Sequence, residues 1–366
     1  MPGHSPSKTG VDALIAGIHV FGDAIQTWMA GSGHDEGESM ARTHVIRVHR
    51  TGGPEELRYE EIELGAPGPG EALVRHTAIG LNFTDIHFRT GRYPLPGLPH
   101  VIGMEAAGVV EAIGTGVTEV RVGDRVCYAS EKPRAYAQAV VMPVGRLIKI
   151  PDWMDDETAA AAILKGLTAQ YLIRGAYPVQ AGETILIQAA AGGVGLIMCQ
   201  WAHHLGARVI GTVGTEEKAA LARQNGCAHT ILYTREDVVA RVQETTGGKG
   251  LPVAFDGVGG PTIEASLKCL RRRGTCVSYG TAGGLIPPFD LFRLNRMGSL
   301  YFTSAGLADY IAQRPEMLRR AEDLFGVIES GAVKVKVTAR YALKDAAQAQ
   351  QDLAARKTVG SVILVP

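Results

Sequence analysis

A chain of 366 residues, 46% hydrophobic and 20% charged, is long enough to bury two cores and too apolar to be a disordered segment. Lysine plus arginine balances aspartate plus glutamate at 37 each, so bulk charge points to neither a nucleic-acid nor an anionic-membrane partner. Five scattered cysteines (Cys127, Cys199, Cys227, Cys269 and Cys276) include no C-x-x-C pair, which argues against a disulfide framework or a zinc knuckle and fits a reducing, cytoplasmic setting.

Residues 1–39 open with small and polar side chains. They pass through a weakly amphipathic stretch interrupted by Asp12 and Asp23, and end in a Gly-rich run. They read as a flexible extension, with Met40 as a candidate start. No apolar run in the chain is long enough to cross a bilayer. Over 43–150 short β-rich runs, at 72–79, 107–113, 125–128 and 136–142, alternate with Gly and Pro punctuation. Many short strands with turn signals predict a barrel-like β domain.

From about 158 the texture changes. An alanine-rich helical stretch over 158–171 leads into alternating elements. Strands are expected at 184–188, 208–212, 230–232, 253–255, 275–279 and 300–302, with helices at 193–205, 216–224, 236–244 and 262–270. Apolar strands alternating with helices indicate a parallel sheet covered on both faces. Arg271, Arg272 and Arg273 read as the end of the last of these helices, where cations complement the dipole. A helix, a strand near 333–337, another helix and a strand at 361–365 follow, and this segment can return to the first domain.

The most specific motif begins at Thr184. An apolar strand runs into Ala189-Ala190-Ala191-Gly192-Gly193-Val194-Gly195, and Val194, Ile197, Met198, Trp201 and Leu205 then recur on one helical face. Glycine lets the backbone approach a pyrophosphate, and a helix N-terminus offers free N–H groups and a positive dipole. Ala190 stands where the first glycine of G-x-G-x-x-G falls. An acidic residue at the end of the next strand would bind a ribose 2′-hydroxyl, but that strand ends in Gly211-Thr212-Val213-Gly214. Nothing there repels a 2′-phosphate. Lys218, in the first turn of the next helix, where the dipole disfavours a cation, is a candidate phosphate ligand. Tyr233 ends the following strand nearby. The expected cofactor is NADPH.

Further motifs are Asn82-Phe83-Thr84-Asp85, Gly123-Asp124-Arg125-Val126, Leu164-Lys165-Gly166-Leu167-Thr168-Ala169 and Arg271-Arg272-Arg273-Gly274. On these and the glycine loop, residues 40–366 resemble the medium-chain dehydrogenases/reductases. Within that superfamily they are similar to the zinc-independent quinone oxidoreductases related to zeta-crystallin, the bacterial NADPH:quinone reductases in particular. The resemblance implies an α/β chain: a Rossmann doubly wound parallel sheet over 164–303, plus a GroES-like β-rich barrel domain over 40–163 and 304–366. It also implies an active site in the cleft between them and a homodimer joined through the Rossmann domains. Zinc alcohol dehydrogenases of the superfamily carry a cysteine shortly after the position of Asn82 and a histidine before the glutamate of a G-H-E motif. Here those places hold Thr84 and Met104, so no metal site is expected.

By the same resemblance Asn82, Thr168 and the backbone near Thr303 lie at the nicotinamide end, and Arg356 approaches the cofactor from the returning C-terminal segment. Ala191, Gly192, Gly193, Val194, Gly214, Lys218, Tyr233, Tyr279, Gly280 and Thr281 fall on the phosphate and adenosine portions. Catalytic candidates are Asn82, Tyr93 and His87. Tyr93 can contact a quinone oxygen or be a half-buried loop tyrosine. His87 stands where relatives often carry tyrosine; it can donate, neutral or protonated, or be a loop histidine. The expected activity is NADPH-dependent reduction of a quinone without a metal. The alternatives are an NADPH-dependent reductase of enones or enals, and a noncatalytic NADPH- or RNA-binding protein.

Overall fold

The computed structural model describes residues 41–130 and 132–366; the extension expected over 1–39 and the candidate start at Met40 lie outside the described residues. The β-rich part begins with β1 (Ala41–Val48) and β2 (Leu57–Leu64), an antiparallel pair. Next comes β3 (Glu71–Gly80), which buries Ala72, Val74, His76 and Ala78 on alternate positions, the pattern of a strand with one face packed.

A two-turn helix, α1 (Phe83–Arg89), follows where the sequence suggested loop. Asn82 is its N-cap, and Asp85, three residues on, accepts the Asn82 backbone N–H through Oδ2 at 2.8 Å. That is the acidic half of a capping box, but two turns are too few for helical periodicity to stand out. His87 is therefore a buried helical residue and not a loop histidine.

The strands β4 (His100–Val101), β5 (Glu105–Ile113), β6 (Arg125–Ala129), β7 (Ala139–Pro143) and β8 (Ile148–Lys149) come next. β3 pairs antiparallel with β5 and β7, β5 with β6, and β6 with β8.

α2 (Asp156–Tyr171) starts at Asp155, whose Oδ1 accepts from Thr158 N at 2.7 Å, with Asp156 and Glu157 in the first turn. Ala159–Ala162 carry little side chain, which brings the helix axis close to its neighbours. α2 packs against β3, β5 and β6 on one side and against the next helix on the other. One hydrophobic core consequently runs from Ala107 and Cys127 through Ala160 and Ile163 to Ile185 and Phe255.

The second half alternates: β9 (Thr184–Ile187), α3 (Gly193–His204), β10 (Arg208–Val213), α4 (Glu216–Gln224), β11 (Cys227–Leu232), α5 (Val238–Thr246), β12 (Leu251–Asp256), α6 (Gly260–Lys268) and β13 (Leu270–Ser278). After α7 (Phe292–Arg296), β14 (Tyr301–Ser304) completes a parallel sheet in the order β11-β10-β9-β12-β13-β14. This is the doubly wound order, and the strand order reverses between β9 and β12, where such folds bind ligands.

Arg271–Arg273 belong to β13, not to a helix end. β13 pairs Leu270 with Leu251 but Thr275 with Val253, so the arginines bulge outward, and Arg273 takes a φ of 57°. Helix α6 has already stopped at Lys268, because burial of Leu270 on the strand outweighs the dipole preference.

The chain then forms α8 (Leu307–Tyr310), α9 (Arg314–Glu329), β15 (Val337–Ala342), α10 (Ala346–Ala354) and β16 (Ser361–Val365). The strand expected near 333–337 starts only at Val337. β16 pairs antiparallel with β3, so the C-terminal segment does return to the first sheet. All five cysteines are buried free thiols. Among the described residues no helix is long and apolar enough to cross a membrane.

Candidate active site

The turn after β9 leads into α3 with Gly192 as an extended N-cap that makes no side-chain cap bond. The N–H groups of Gly193, Val194 and Gly195 open the helix and have no carbonyl partner within it. Ala191, Gly192 and these residues thus form the concave turn expected of a pyrophosphate cradle. A Cβ on Gly195 would stand 2.4 Å from the Ala189 carbonyl oxygen, so only glycine permits this closeness of loop and helix. The residue under conformational demand is Ala189, with φ at 54°, and not Ala190, which is wholly buried. Beneath the loop runs a buried polar chain. Thr212 donates to Gln188 Oε1 at 2.5 Å, Gln188 Nε2 to Ser266 Oγ at 3.0 Å, and Ser266 Oγ to Asp256 Oδ2 at 2.7 Å. It ties the ends of β9, β10 and β12 together.

At the carboxyl end of β10 three segments meet. Lys218, whose backbone N–H is capped by Thr215, donates its Nζ to the Arg356 carbonyl at 3.3 Å. Arg356 Nη1 lies 3.4 Å from the Tyr233 hydroxyl. A Cβ on Gly214 would come within 2.8 Å of that hydroxyl. Lys218, Tyr233, Gly214 and Arg356 are therefore one cluster: two cations and a phenol around a glycine, with no carboxylate among them. This donor set suits a phosphate dianion.

A second cluster lies where β5 faces α2. Glu105 is wholly buried. Its Oε1 accepts from Asn82 Nδ2 at 2.7 Å and from Lys165 Nζ at 2.6 Å, and its Oε2 accepts from Leu164 N at 2.7 Å. Thr168 follows Lys165 on the same helix face, its hydroxyl donating to the Leu164 carbonyl. The Lys165 stem runs alongside the glycine loop, where a Cβ on Gly193 would fall 2.9 Å from Lys165 Cδ. The amide of Asn82 is thus fixed by the strand, and an ammonium sits between the strand and the loop. Asp85 braces the same turn from behind. It accepts from Asn82 N and, at 2.9 Å, from the Tyr136 hydroxyl, and burial pushes its carboxyl up to about 7.

Tyr93 and His87 form a third group, their rings edge to face with centroids 5.0 Å apart. Burial first, and then the nearby Arg92, lower the His87 imidazole to about 4. At neutral pH the ring is uncharged, so it can donate only through its single N–H. Arg92 Nη1 donates to the Thr281 carbonyl at 2.9 Å, joining this loop to Tyr279-Gly280-Thr281 at the end of β13. The Thr281 hydroxyl is buried and has no partner among the described residues. Thr303 sits opposite Val277 through strand pairing alone; no side-chain hydrogen bond ties it to any cluster.

These features fit a dinucleotide: an open helix N-terminus, a two-cation cluster at one end, and an orphaned hydroxyl and a fixed amide toward the other. The sequence reading missed Glu105, Lys165 and Arg92 as site residues. Among the described residues no group of three or more His, Cys, Asp or Glu side chains is arranged to hold a metal ion.

Known proteins match along nearly all of the described part. Residues 68–152 match the family described as alcohol dehydrogenase GroES-like domain, and 193–323 the family described as zinc-binding dehydrogenase. A quinone oxidoreductase of Pseudomonas aeruginosa is 50% identical over 322 residues, covering 88% of this chain and 99% of that protein. A 2-haloacrylate reductase of a Burkholderia species is 44% identical, covering 87% and 98% respectively. The crystal structure of Escherichia coli quinone oxidoreductase complexed with NADPH superposes with a TM-score of 0.87 at 44% identity, over 89% of this chain and all of that one.

Proposed function

This chain belongs to the quinone oxidoreductase family of medium-chain dehydrogenases/reductases, and we propose that it is an enzyme that reduces quinones with NADPH, without a metal, in a cleft between its β-rich domain and its nucleotide domain. The observations that carry the reading are the cation cluster at the end of β10 and the Glu105-held amide and ammonium beside the glycine loop. Lys218 and Arg356 gather at the adenosine end, and the Asn82 amide, held by Glu105, faces the nicotinamide end. NADPH supplies a hydride there. The protein's share is to bind, orient and exclude water. Ala191, Gly192, Gly193 and Val194 hold the pyrophosphate, and Gly214, Lys218, Tyr233 and Arg356 the 2′-phosphate. Tyr279, Gly280 and Thr281 line the path between, and Asn82, Thr168 and the backbone at Thr303 flank the nicotinamide. Tyr93 contacts the quinone oxygen, and neutral His87 donates or stacks beside it. Thr84 and Met104 offer no ligand pair for zinc. The barrel domain takes 40–163 and 304–366, and the nucleotide domain takes 164–303.

A second reading, reduction of an activated carbon–carbon double bond, is favoured by the relative named 2-haloacrylate reductase. NADPH oxidation measured against a panel of quinones and enones decides between them. Turnover of quinones is expected, and turnover of enones alone would replace the quinone assignment. We also read the outer edge of β14 as the seam of a homodimer. Leu285, Leu291, Phe292 and Tyr301 beside it are more than half exposed, and an unpaired edge strand invites a second copy. Light scattering on the same preparation tests this, and a monomer would remove it.

Lys218→Ala is expected to weaken NADPH by about 10- to 100-fold, the loss of one charge-assisted phosphate contact, and to leave NADH nearly unchanged. Fluorescence titration with both cofactors measures it. Equal losses would take the 2′-phosphate away from Lys218.

A further inference from the structure

We propose that Lys165 is the proton donor of the reaction, its ammonium held by Glu105 beside Asn82 to protonate the oxygen of the reduced quinone; this rests on the quinone reading above. The Lys165–Glu105 pair is the most buried ion pair among the described residues, with side chains 7% and 0% exposed. Burying two charges costs more than an apolar pair of the same volume, so stability alone does not account for the pair. Its position does. Glu105 Oε1 accepts from both Lys165 Nζ and Asn82 Nδ2, so the ammonium and the amide at the nicotinamide end share one anchor. The lysine stem runs beside Gly193 at the mouth of the glycine loop while its ammonium holds Glu105, so the side chain bridges that loop and β5. One ammonium hydrogen is directed to Glu105 and two others remain to donate. Zinc relatives in this superfamily polarise an oxygen with a metal. Here the cation in the cleft is an ammonium, which also carries a transferable proton.

The step balances. A quinone takes up a hydride, which carries both electrons, and becomes a hydroquinone monoanion as NADPH becomes NADP⁺. One N–H bond of Lys165 breaks as an O–H bond forms on the anionic oxygen. The neutral amine, still donating to Glu105, regains its proton from water. General acid catalysis of this kind contributes about 100-fold or more to turnover.

The test compares wild type with Lys165→Met and with the double variant Glu105→Gln/Lys165→Met, which leaves no unpaired charge. Three quantities are read on each: the urea midpoint without cofactor, the NADPH dissociation constant, and turnover of the preferred quinone at saturating NADPH. Lys165→Met is expected to lower the midpoint and the double variant to restore most of it. Both should bind NADPH nearly as wild type does, and both should turn over about 100-fold more slowly. Added ethylammonium should speed the variants and not wild type. Wild-type turnover in the double variant would show that the pair is only structural and would overturn the proposal. So would a large loss of NADPH affinity with turnover intact at saturation, which would make Lys165 a cofactor ligand. A wild-type enzyme inactive on every quinone overturns the functional reading itself, a result visible before any variant is made.

Discussion

Glu105→Gln is expected to lower the unfolding free energy by about 3–5 kcal/mol, the loss that follows when one partner of a buried ion pair is removed. The carboxylate is wholly buried and accepts three hydrogen bonds, from Asn82 Nδ2, Leu164 N and Lys165 Nζ. Glutamine offers one acceptor oxygen in place of two and turns an NH₂ toward donors. The Lys165 ammonium is left buried without a counter-charge. Asn82 also loses its fixed acceptor, so quinone turnover should fall with stability, by about 100-fold for a displaced cleft group. Urea unfolding and steady-state assays measure both. A variant as stable as wild type would mean that water reaches the pair in solution.

The second large effect concerns pH. Asp85 is buried, and its carboxyl is raised from 3.8 to about 7, by burial first; Glu105 adds to the rise, while hydrogen bonds from Asn82 and Tyr136 oppose it. The folded chain therefore keeps a proton between about pH 4 and pH 7 that the unfolded chain has released. Asp85's contribution to stability is full below pH 4 and is lost as pH rises through 7. Asp85→Asn keeps an acceptor for Asn82 N and the Tyr136 hydroxyl but cannot ionise. Relative to wild type, the variant should gain about 4 kcal/mol in going from pH 4 to pH 8, since each tenfold difference in proton affinity between the folded and unfolded chain is worth about 1.4 kcal/mol.

His76 acts with the opposite sign. Burial lowers its imidazole to about 4, so the unfolded chain alone takes up a proton as pH falls below 6.5, and acid destabilises the fold. Its Nδ1 lies 2.7 Å from the Ala137 carbonyl, and the Tyr128 hydroxyl 3.0 Å from Nε2. That contribution is common to both proteins and cancels in the difference. Unfolding curves of wild type and Asp85→Asn that stay parallel across this range would show Asp85 to be solvated.

How much of this was legible beforehand differs between the two halves. The parallel sheet was readable because its strands are short apolar runs set between amphipathic helices, as with the wholly buried Leu251–Asp256. The glycine loop was readable because strand, turn and helix follow one another without interruption. The Asn82 turn does not show itself as a helix in the sequence, since α1 is shorter than any periodicity can reveal. Arg271–Arg273 misled because position relative to a helix end is a local signal, whereas their place is set by pairing with β12. Lys165 and Glu105 do carry a signal in the sequence. Each is the lone charge in an otherwise uncharged, largely apolar run, from 158 to 173 and from 101 to 110, and such a charge must find a partner once the run is buried. Which partner it finds is a long-range fact, 60 residues away along the chain.

The contact between Lys218 and Arg356 spans 138 residues and joins the first turn of α4 to the segment between α10 and β16. On the proposed assignment, the phosphate that distinguishes the two nicotinamide dinucleotides is met by side chains from two distant stretches of chain, the start of α4 and the segment before β16. Cofactor preference is then not a property that can be transplanted with the nucleotide-binding fragment. A redesign toward NADH has to alter two stretches of chain together, and a graft that carries over only the glycine loop and Lys218 brings half of the selector.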